Sequence, residues 1–207
     1  MLKPSTKRKI RRIIAPFRRI GLKKRFTIIS NNCWGGIAYD KFGLKYSSPT
    51  VGLLFKPSDF LKYVTNLKYY LSIKPTPILE RQIRENEHQG LYAAKVDDIT
   101  IFFIHYKNVY EAIDKYEKRK ERIVWDNIIV KFSDLTYDGE SCNESILESI
   151  FNLPFKKIVF TKNSEFAKKY DCAYLFSKTN SDGDIKDEFK QANHIFPLNK
   201  LKKIINK

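Results

Sequence analysis

The stretch Phe26-Thr-Ile-Ile-Ser-Asn-Asn-Cys-Trp-Gly-Gly-Ile-Ala-Tyr39 joins a run of β-branched and aromatic residues to a polar turn and then to a second apolar run. Phe26, Thr27, Ile28 and Ile29 read as a short interior strand, Ser30 to Asn32 as its carboxyl end, and Gly35 and Gly36 as a sharp turn into a helix. Open α/β sheets gather their ligands at the carboxyl ends of the strands. Residues 30–36 are therefore where a site is expected, with Cys33 at its centre. A helix beginning near Trp34 would turn its unpaired N–H groups toward Cys33 and favour the thiolate.

Outward from this stretch, strand and helix patterns alternate. Leu91–Lys95 and Ile99–Tyr106, joined at Asp97-Asp98, read as a hairpin whose second strand is apolar enough to be central, with His105 at its carboxyl end. Further strands at Asn127–Phe132, Lys157–Thr161 and Ala173–Phe176 are separated by helical patterns at Val109–Arg122, Glu144–Phe151 and Ser164–Tyr170. The alternation predicts a single α/β domain with a largely parallel central sheet and helices on both faces, three layers in all. Another helix is expected to start at Ser58 as N-cap and to run through Phe60, Leu61, Val64, Leu67 and Leu71. Ile78–Asn86 reads as a helix or a charged excursion, and the last helices fall at Ile185–Ala192 and Asn199–Ile205.

With 207 residues and 43% hydrophobic content the chain suits one sizeable core. Cys33, Cys142 and Cys172 are odd in number and far apart, so neither a disulfide framework nor a zinc site is indicated, and a reducing, cytoplasmic setting fits. The net charge is +16, but residues 1–25 hold 11 of the 39 lysines and arginines and no acid. The remaining 28 cations face 23 acids, so the rest of the chain carries only +5.

This imbalance separates a basic N-terminal segment, residues 1–24, from an α/β domain over 25–207. In the segment, Ile10, Ile13, Ile14, Phe17 and Ile20 recur at spacings of three and four, an apolar stripe beneath a cationic face that suggests a basic amphipathic helix. Pro16 would kink or end it. The stripe fits an in-plane anchor on an anionic membrane, a first helix packed on the domain, or a nucleic-acid arm. Nucleic acid is the weakest of these, since it rests on net charge alone. The longest apolar run, Ile13 to Phe17, is too short to span a bilayer. The expected location is the inner face of the cell membrane, held peripherally.

Three strand ends carry reactive groups: Cys33, His105 and Asp134. Along one edge of a parallel sheet they would form a nucleophile, a base and an orienting carboxylate, with the N–H groups of Trp34 and Gly35 and the Asn32 amide around the oxyanion. Each has a plainer reading: a buried thiol, a core histidine, a turn cap. Arg119 and Arg122, one helical turn apart, either form surface pairs or together meet a phosphate or carboxylate. Asn31, Asn32 and Trp34 either recognise sugar hydroxyls or fix the turn.

Ser30-Asn-Asn-Cys-Trp-Gly-Gly36, followed by Tyr39, Gly43-Leu-Lys-Tyr46 and Ser48-Pro-Thr-Val51, resembles the opening signature of a bacterial family usually labelled exopolysaccharide biosynthesis protein, domain-of-unknown-function family 1919. The likeness continues through Phe103-Ile-His-Tyr106 and Arg119-Lys-Glu-Arg122-Ile, covering roughly residues 25 to 165. The resemblance implies a surface-glycan setting and a compact α/β fold, and supplies no reaction. Joined to the residues above, it leads to the expectation of a transferase or hydrolase that uses Cys33 and His105 on an acyl group of a glycan or lipid-linked glycan precursor. An acyl-thioester is the donor a transferase would need. The alternative is a non-catalytic glycan-binding or membrane-associated assembly factor. Glycosyl transfer is less favoured because the one Asp-x-Asp spacing, Asp182-Gly-Asp184, falls in a turn-rich loop. No metal site is expected, and no GxGxxG or P-loop pattern supports a nucleotide fold.

Overall fold

A computed structural model describes residues 13–82, 91–137, 139–179 and 188–207. The opening stretch forms strand β1 (Thr27–Ser30) and helix α1 (Trp34–Phe42). Gly43 ends α1 in the left-handed conformation, φ 61°, and a Cβ there would lie 2.6 Å from that of Ala15, so the position suits only glycine. The chain continues through β2 (Leu53–Phe55), α2 (Pro57–Thr65), α3 (Leu67–Ser72), β3 (Thr76–Gln82), β4 (Leu91–Val96) and β5 (Ile99–Phe103). Helix α4 (Val109–Lys120), β6 (Ile128–Ser133), α5 (Glu144–Asn152), β7 (Lys156–Thr161), α6 (Ser164–Lys169), β8 (Ala173–Leu175), α7 (Glu188–Ile195) and α8 (Leu198–Asn206) complete it. Asn108, Asn143 and Asn163 cap α4, α5 and α6 by accepting backbone N–H groups, which explains where these helices start.

Among the described residues there are two four-stranded sheets rather than one. β1, β6, β7 and β8 form a parallel sheet in that order, and β2, β5, β4 and β3 an antiparallel one. The hairpin expected at residues 91–106 therefore belongs to a separate antiparallel sheet, not to the parallel one. The two meet where the Phe55 N–H of β2 donates to the Asn31 carbonyl just past β1, 3.1 Å away. Period-two alternation divides the parallel sheet: Ile29, Val130, Phe132 and Val159 face a core shared with the antiparallel sheet and α2, while Ile28, Ile129, Ile158 and Phe160 face α1, α7 and α8. Lys131 and Ser133, two and four residues beyond Ile129, fall on the second face.

Two local expectations are corrected. Residues 76–82 form a strand in place of the helix or charged excursion expected over Ile78–Asn86, of which residues 83–86 lie outside the described ones; Pro77 is tolerated because β3 is the sheet's edge, where a missing N–H leaves no ladder bond broken. Helix α2 begins with Pro57 at its first position, so Ser58 lies inside it and its N–H and Oγ donate to the Glu140 carboxylate at 2.6 and 2.8 Å.

Residues 13–19 are helical, with Ala15 buried and Ile13, Phe17 and Ile20 about 70% exposed. Residues 20–24 are fastened to the chain's other end: Lys23 N–H donates to Asn206 Oδ1 at 2.9 Å, and Asn206 Nδ2 to the Gly21 carbonyl at 2.7 Å. The upstream part of the expected amphipathic helix, including Ile10, lies outside the described residues, as do Asp182-Gly-Asp184 and the start of the helix expected at Ile185. Among the described residues no helix is long and apolar enough to cross a membrane.

Candidate functional site

The carboxyl ends of β1 and β6 are stitched by Asn31, whose Nδ2 donates to the Ser133 carbonyl and whose Oδ1 accepts the Ser133 N–H, both at 2.9 Å. Asn31 is thus a structural clasp that satisfies two backbone groups past the last ladder bond.

Asn32 turns the other way, onto the α1 and α7 side. Its Oδ1 accepts the Trp34 N–H at 3.1 Å and the Lys131 ammonium at 2.9 Å, and its Nδ2 donates to Glu188 Oε2 at 2.8 Å. Lys131 is wholly buried; its Nζ donates to Glu188 Oε1 at 2.5 Å and also to Ser133 Oγ. Nζ lies 4.8 Å from the Phe160 ring centroid and 5.7 Å from that of Trp34, so two aromatic faces complete its enclosure. Burial pushes the Lys131 ammonium below its usual range, and the Glu188 carboxylate opposes that shift.

Cys33 sits beside this network as the residue before α1, in helical geometry and half-buried. The amides of α1 do not win: burial pushes its thiol up to about 11, with Lys131 pulling down and Glu188 pushing up. The expectation of a resting thiolate is corrected accordingly. A folded-state value above the ordinary 9.0 means the folded chain holds its proton longer than the unfolded one. The stability this contributes is complete below pH 9 and lost as pH rises toward 11. Alkylation of Cys33 by iodoacetamide, followed by peptide mass spectrometry, should accordingly climb through pH 9 to 11 without a plateau near 9. A plateau near neutral pH would show the thiol activated at rest.

Cys33 lines a cleft of about 890 Å³, which Asn32 and Glu188 also border together with residues at the ends of β2 and β5. His105 lines it as well. It lies two residues past β5, exposed, with φ 67°, so it reaches the cleft from the antiparallel sheet and not from a parallel strand end. Among the described residues no hydrogen bond joins it to Cys33. Asp134 does not join them: the described lining residues exclude it, and its carboxylate accepts from Thr161 Oγ1 at 2.9 Å and the Lys162 N–H at 3.4 Å. Of the triad expected from the sequence, two members, Cys33 and His105, line this cleft. The oxyanion donors are also corrected, because the Trp34 N–H and the Asn32 amide are already engaged within the network. The Gly35 and Gly36 amides remain at the open end of α1, where no intrahelical carbonyl serves them.

Trp34 is 4% exposed and packs edge-on against Phe160 and Phe196, so it is core and not a sugar platform. Gly35 lets α1 approach β1: a Cβ there would sit 3.2 Å from Ser30 Cβ and 3.3 Å from Ile28 Cγ2. The aromatic surfaces in the cleft are instead Tyr46, Tyr106, Tyr137 and Phe189. Arg119, 8% exposed, donates through Nη1 to the Val51 carbonyl at 2.7 Å and to Tyr106 Oη at 2.8 Å, and its guanidinium lies 5.1 Å from the Tyr46 ring centroid. Arg122 donates to the Tyr46 carbonyl at 3.2 Å, outside the cleft proper. Among the described residues no three His, Cys, Asp or Glu side chains gather as metal ligands.

A Haemophilus influenzae protein described as an uncharacterized protein is 32% identical over 162 residues, which span 77% of this chain and 73% of the relative. The family model for the domain of unknown function DUF1919 matches residues 6–205, taking in β1, the cleft and α7 alike. With nearly the whole fold inside that match, this chain belongs to the DUF1919 family.

Proposed function

We propose that the cleft is the active site of a surface-polysaccharide assembly enzyme that moves an acyl group on or off a glycan, with Cys33 as nucleophile and His105 as the proton carrier. The observation that carries the reading is that both groups line one cleft at the end of β1, among aromatic, apolar and polar side chains. Aromatic faces with interspersed hydroxyls and charges suit sugar rings. The polysaccharide setting comes from the motif resemblance alone.

In the proposed reaction the Cys33 sulfur bonds to the acyl carbon while the thiol proton passes to the His105 imidazole. The oxyanion is met by the amide of Gly36, which lines the cleft. The carbon–oxygen bond to the sugar then breaks, His105 returns the proton to the departing alkoxide, and a thioester remains on Cys33. Water or an acceptor hydroxyl attacks that thioester, gives its proton to His105 and releases the thiol. A thiol held near 11 at rest needs such a base in the step itself.

That same resting thiol favours a second reading, a glycan-binding assembly factor without chemistry. Cys33→Ser decides between them: it is expected to abolish polysaccharide product in cells and any thioester adduct seen by intact mass, with an unchanged melting curve. Full product from a folded Cys33→Ser protein would leave only binding.

The exposed Ile13, Phe17 and Ile20, flanked by Arg18, Arg19, Lys23 and Lys24, support peripheral attachment to an anionic membrane, each cation contributing about 1 kcal/mol near the surface. Deleting residues 1–24 is expected to abolish co-sedimentation with phosphatidylglycerol vesicles; unchanged sedimentation would refute the anchor.

A further inference from the structure

Past Tyr46 and Arg119 the cleft continues into a hollow of about 370 Å³ walled by Lys45, Tyr46, Lys115, Lys118, Arg119 and Arg122. Its described lining holds five cations and no carboxylate. Lys115 and Lys118 are tied one turn back along α4 to Glu111 and Asp114, at 2.6 and 2.8 Å. Lys45, Arg119 and Arg122 are paired with no carboxylate among the described residues. Arg119 is held rigidly by the Val51 carbonyl, the Tyr106 hydroxyl and the Tyr46 ring, and Arg122 by the Tyr46 carbonyl.

Two planar guanidinium groups held by neutral partners, with Lys45 in the same lining, form an anion receptor, since each fork retains donors for phosphoryl oxygens. Some of this charge also serves the carboxyl end of α4, where cations offset the helix dipole. That role does not account for Lys45, which enters from the loop after α1, nor for a described lining without a carboxylate, which Asp40, Glu111 and Asp114 border as partners of Tyr46, Lys115 and Lys118.

Beyond the hollow, sharing Leu44, Lys45, Tyr46 and Arg122 with it, runs a groove of about 660 Å³ bordered by Arg19, Leu22, Lys23, Lys24, Arg25 and Phe26, its exposed lining more apolar than polar despite these cations. It leads toward the segment that exposes Ile13, Phe17 and Ile20. Tyr46 walls the cleft, the hollow and the groove alike; the charged side chains lining the hollow are all cationic, and the cleft and the groove both mix apolar with polar or charged side chains.

We propose that the hollow binds a diphosphate that joins a sugar lying in the cleft to an apolar carrier running along the groove to the membrane. The proposal rests on reading the cleft as a glycan site and names the substrate as a lipid-linked sugar diphosphate. It adds that Lys45, Arg119 and Arg122 recognise the phosphoryl groups whether or not Cys33 is a nucleophile.

Calorimetric titration of the full chain with inorganic pyrophosphate tests the hollow. Saturable one-site binding is expected, weakened tenfold or more in Lys45→Ala/Arg122→Ala and changed less than twofold in Lys95→Ala/Lys168→Ala, two exposed lysines elsewhere. Absence of saturable binding, or equal weakening in both pairs, would overturn the site. Neutral phosphatidylcholine vesicles carrying a polyprenyl diphosphate, set beside a free nucleoside diphosphate, test the carrier. Tight binding of the nucleotide without capture of the diphosphate vesicles would overturn the lipid part. Cys33→Ser should bind pyrophosphate like the parent, so polysaccharide product persisting in that variant would reject the acyl chemistry while the phosphate site stood.

Discussion

Replacing Lys131 with methionine is expected to lower the free energy of unfolding by about 3–5 kcal/mol, the range for removing one partner of a buried ion pair. Methionine fills nearly the same volume, so a cavity contributes little. The loss comes from Glu188, 6% exposed, whose Oε1 is left without its ammonium while Oε2 keeps only the Asn32 amide. Ser133 Oγ and Asn32 Oδ1 lose a donor at the same time. Lys131→Met/Glu188→Leu should recover much of the loss, because two apolar groups leave no stranded charge. Urea denaturation of the three proteins measures this. A loss below about 1 kcal/mol in the single variant would mean that water reaches Glu188. Since Glu188 and Phe189 also line the cleft, the single variant should disturb the site along with the fold.

That network shows where the sequence stopped being legible. The strand around Lys131 was recognisable from its β-branched run, and alternation assigned Lys131 a face. Whether the face met water or protein was decided by α7, whose Glu188 arrives 57 residues later. No local pattern announces such a partner. A lone lysine within an otherwise apolar strand was the available signal, and it reads equally well as a charge at an exposed sheet face.

The elements were more legible than their assembly. The β1 to α1 stretch, the hairpin turn at Asp97-Asp98 and the asparagine caps follow from local chemistry, so their residues carry the information. Which sheet the hairpin joins is set by long-range pairing of β5 with β2, so His105 enters the cleft from the antiparallel sheet and not from the expected parallel edge. β3 was hidden because Lys74-Pro-Thr-Pro77 is loop chemistry everywhere except on an edge strand. Cys33 was found through its turn, but its activation was misjudged. Helix-end amides act within one turn, whereas desolvation depends on everything packed around the thiol, including Glu188.

Arg119→Ala is expected to destabilise the chain by about 2–4 kcal/mol, combining loss of hydrogen bonds from a charged donor with loss of the contact to Tyr46. The guanidinium ties α4 to the loop before β2 through the Val51 carbonyl, and that carbonyl also accepts the Tyr106 hydroxyl at 2.7 Å. A Cβ at Gly52 would lie 2.9 Å from Tyr106 Oη, so the loop, the tyrosine and the arginine have little freedom to readjust. Arg119→Lys should restore only part of the stability, because one ammonium cannot both stack on Tyr46 and reach the two oxygens. Burial already raises the Tyr106 phenol, with Arg119 the first of the groups that hold it down. In Arg119→Ala its titration should therefore move further up, read from a labelled tyrosine resonance assigned with Tyr106→Phe. An unmoved Tyr106 titration together with stability unchanged within about 0.5 kcal/mol would place the guanidinium in solvent. A shifted titration would establish the rigid mount on which recognition of a diphosphate in the adjoining hollow depends.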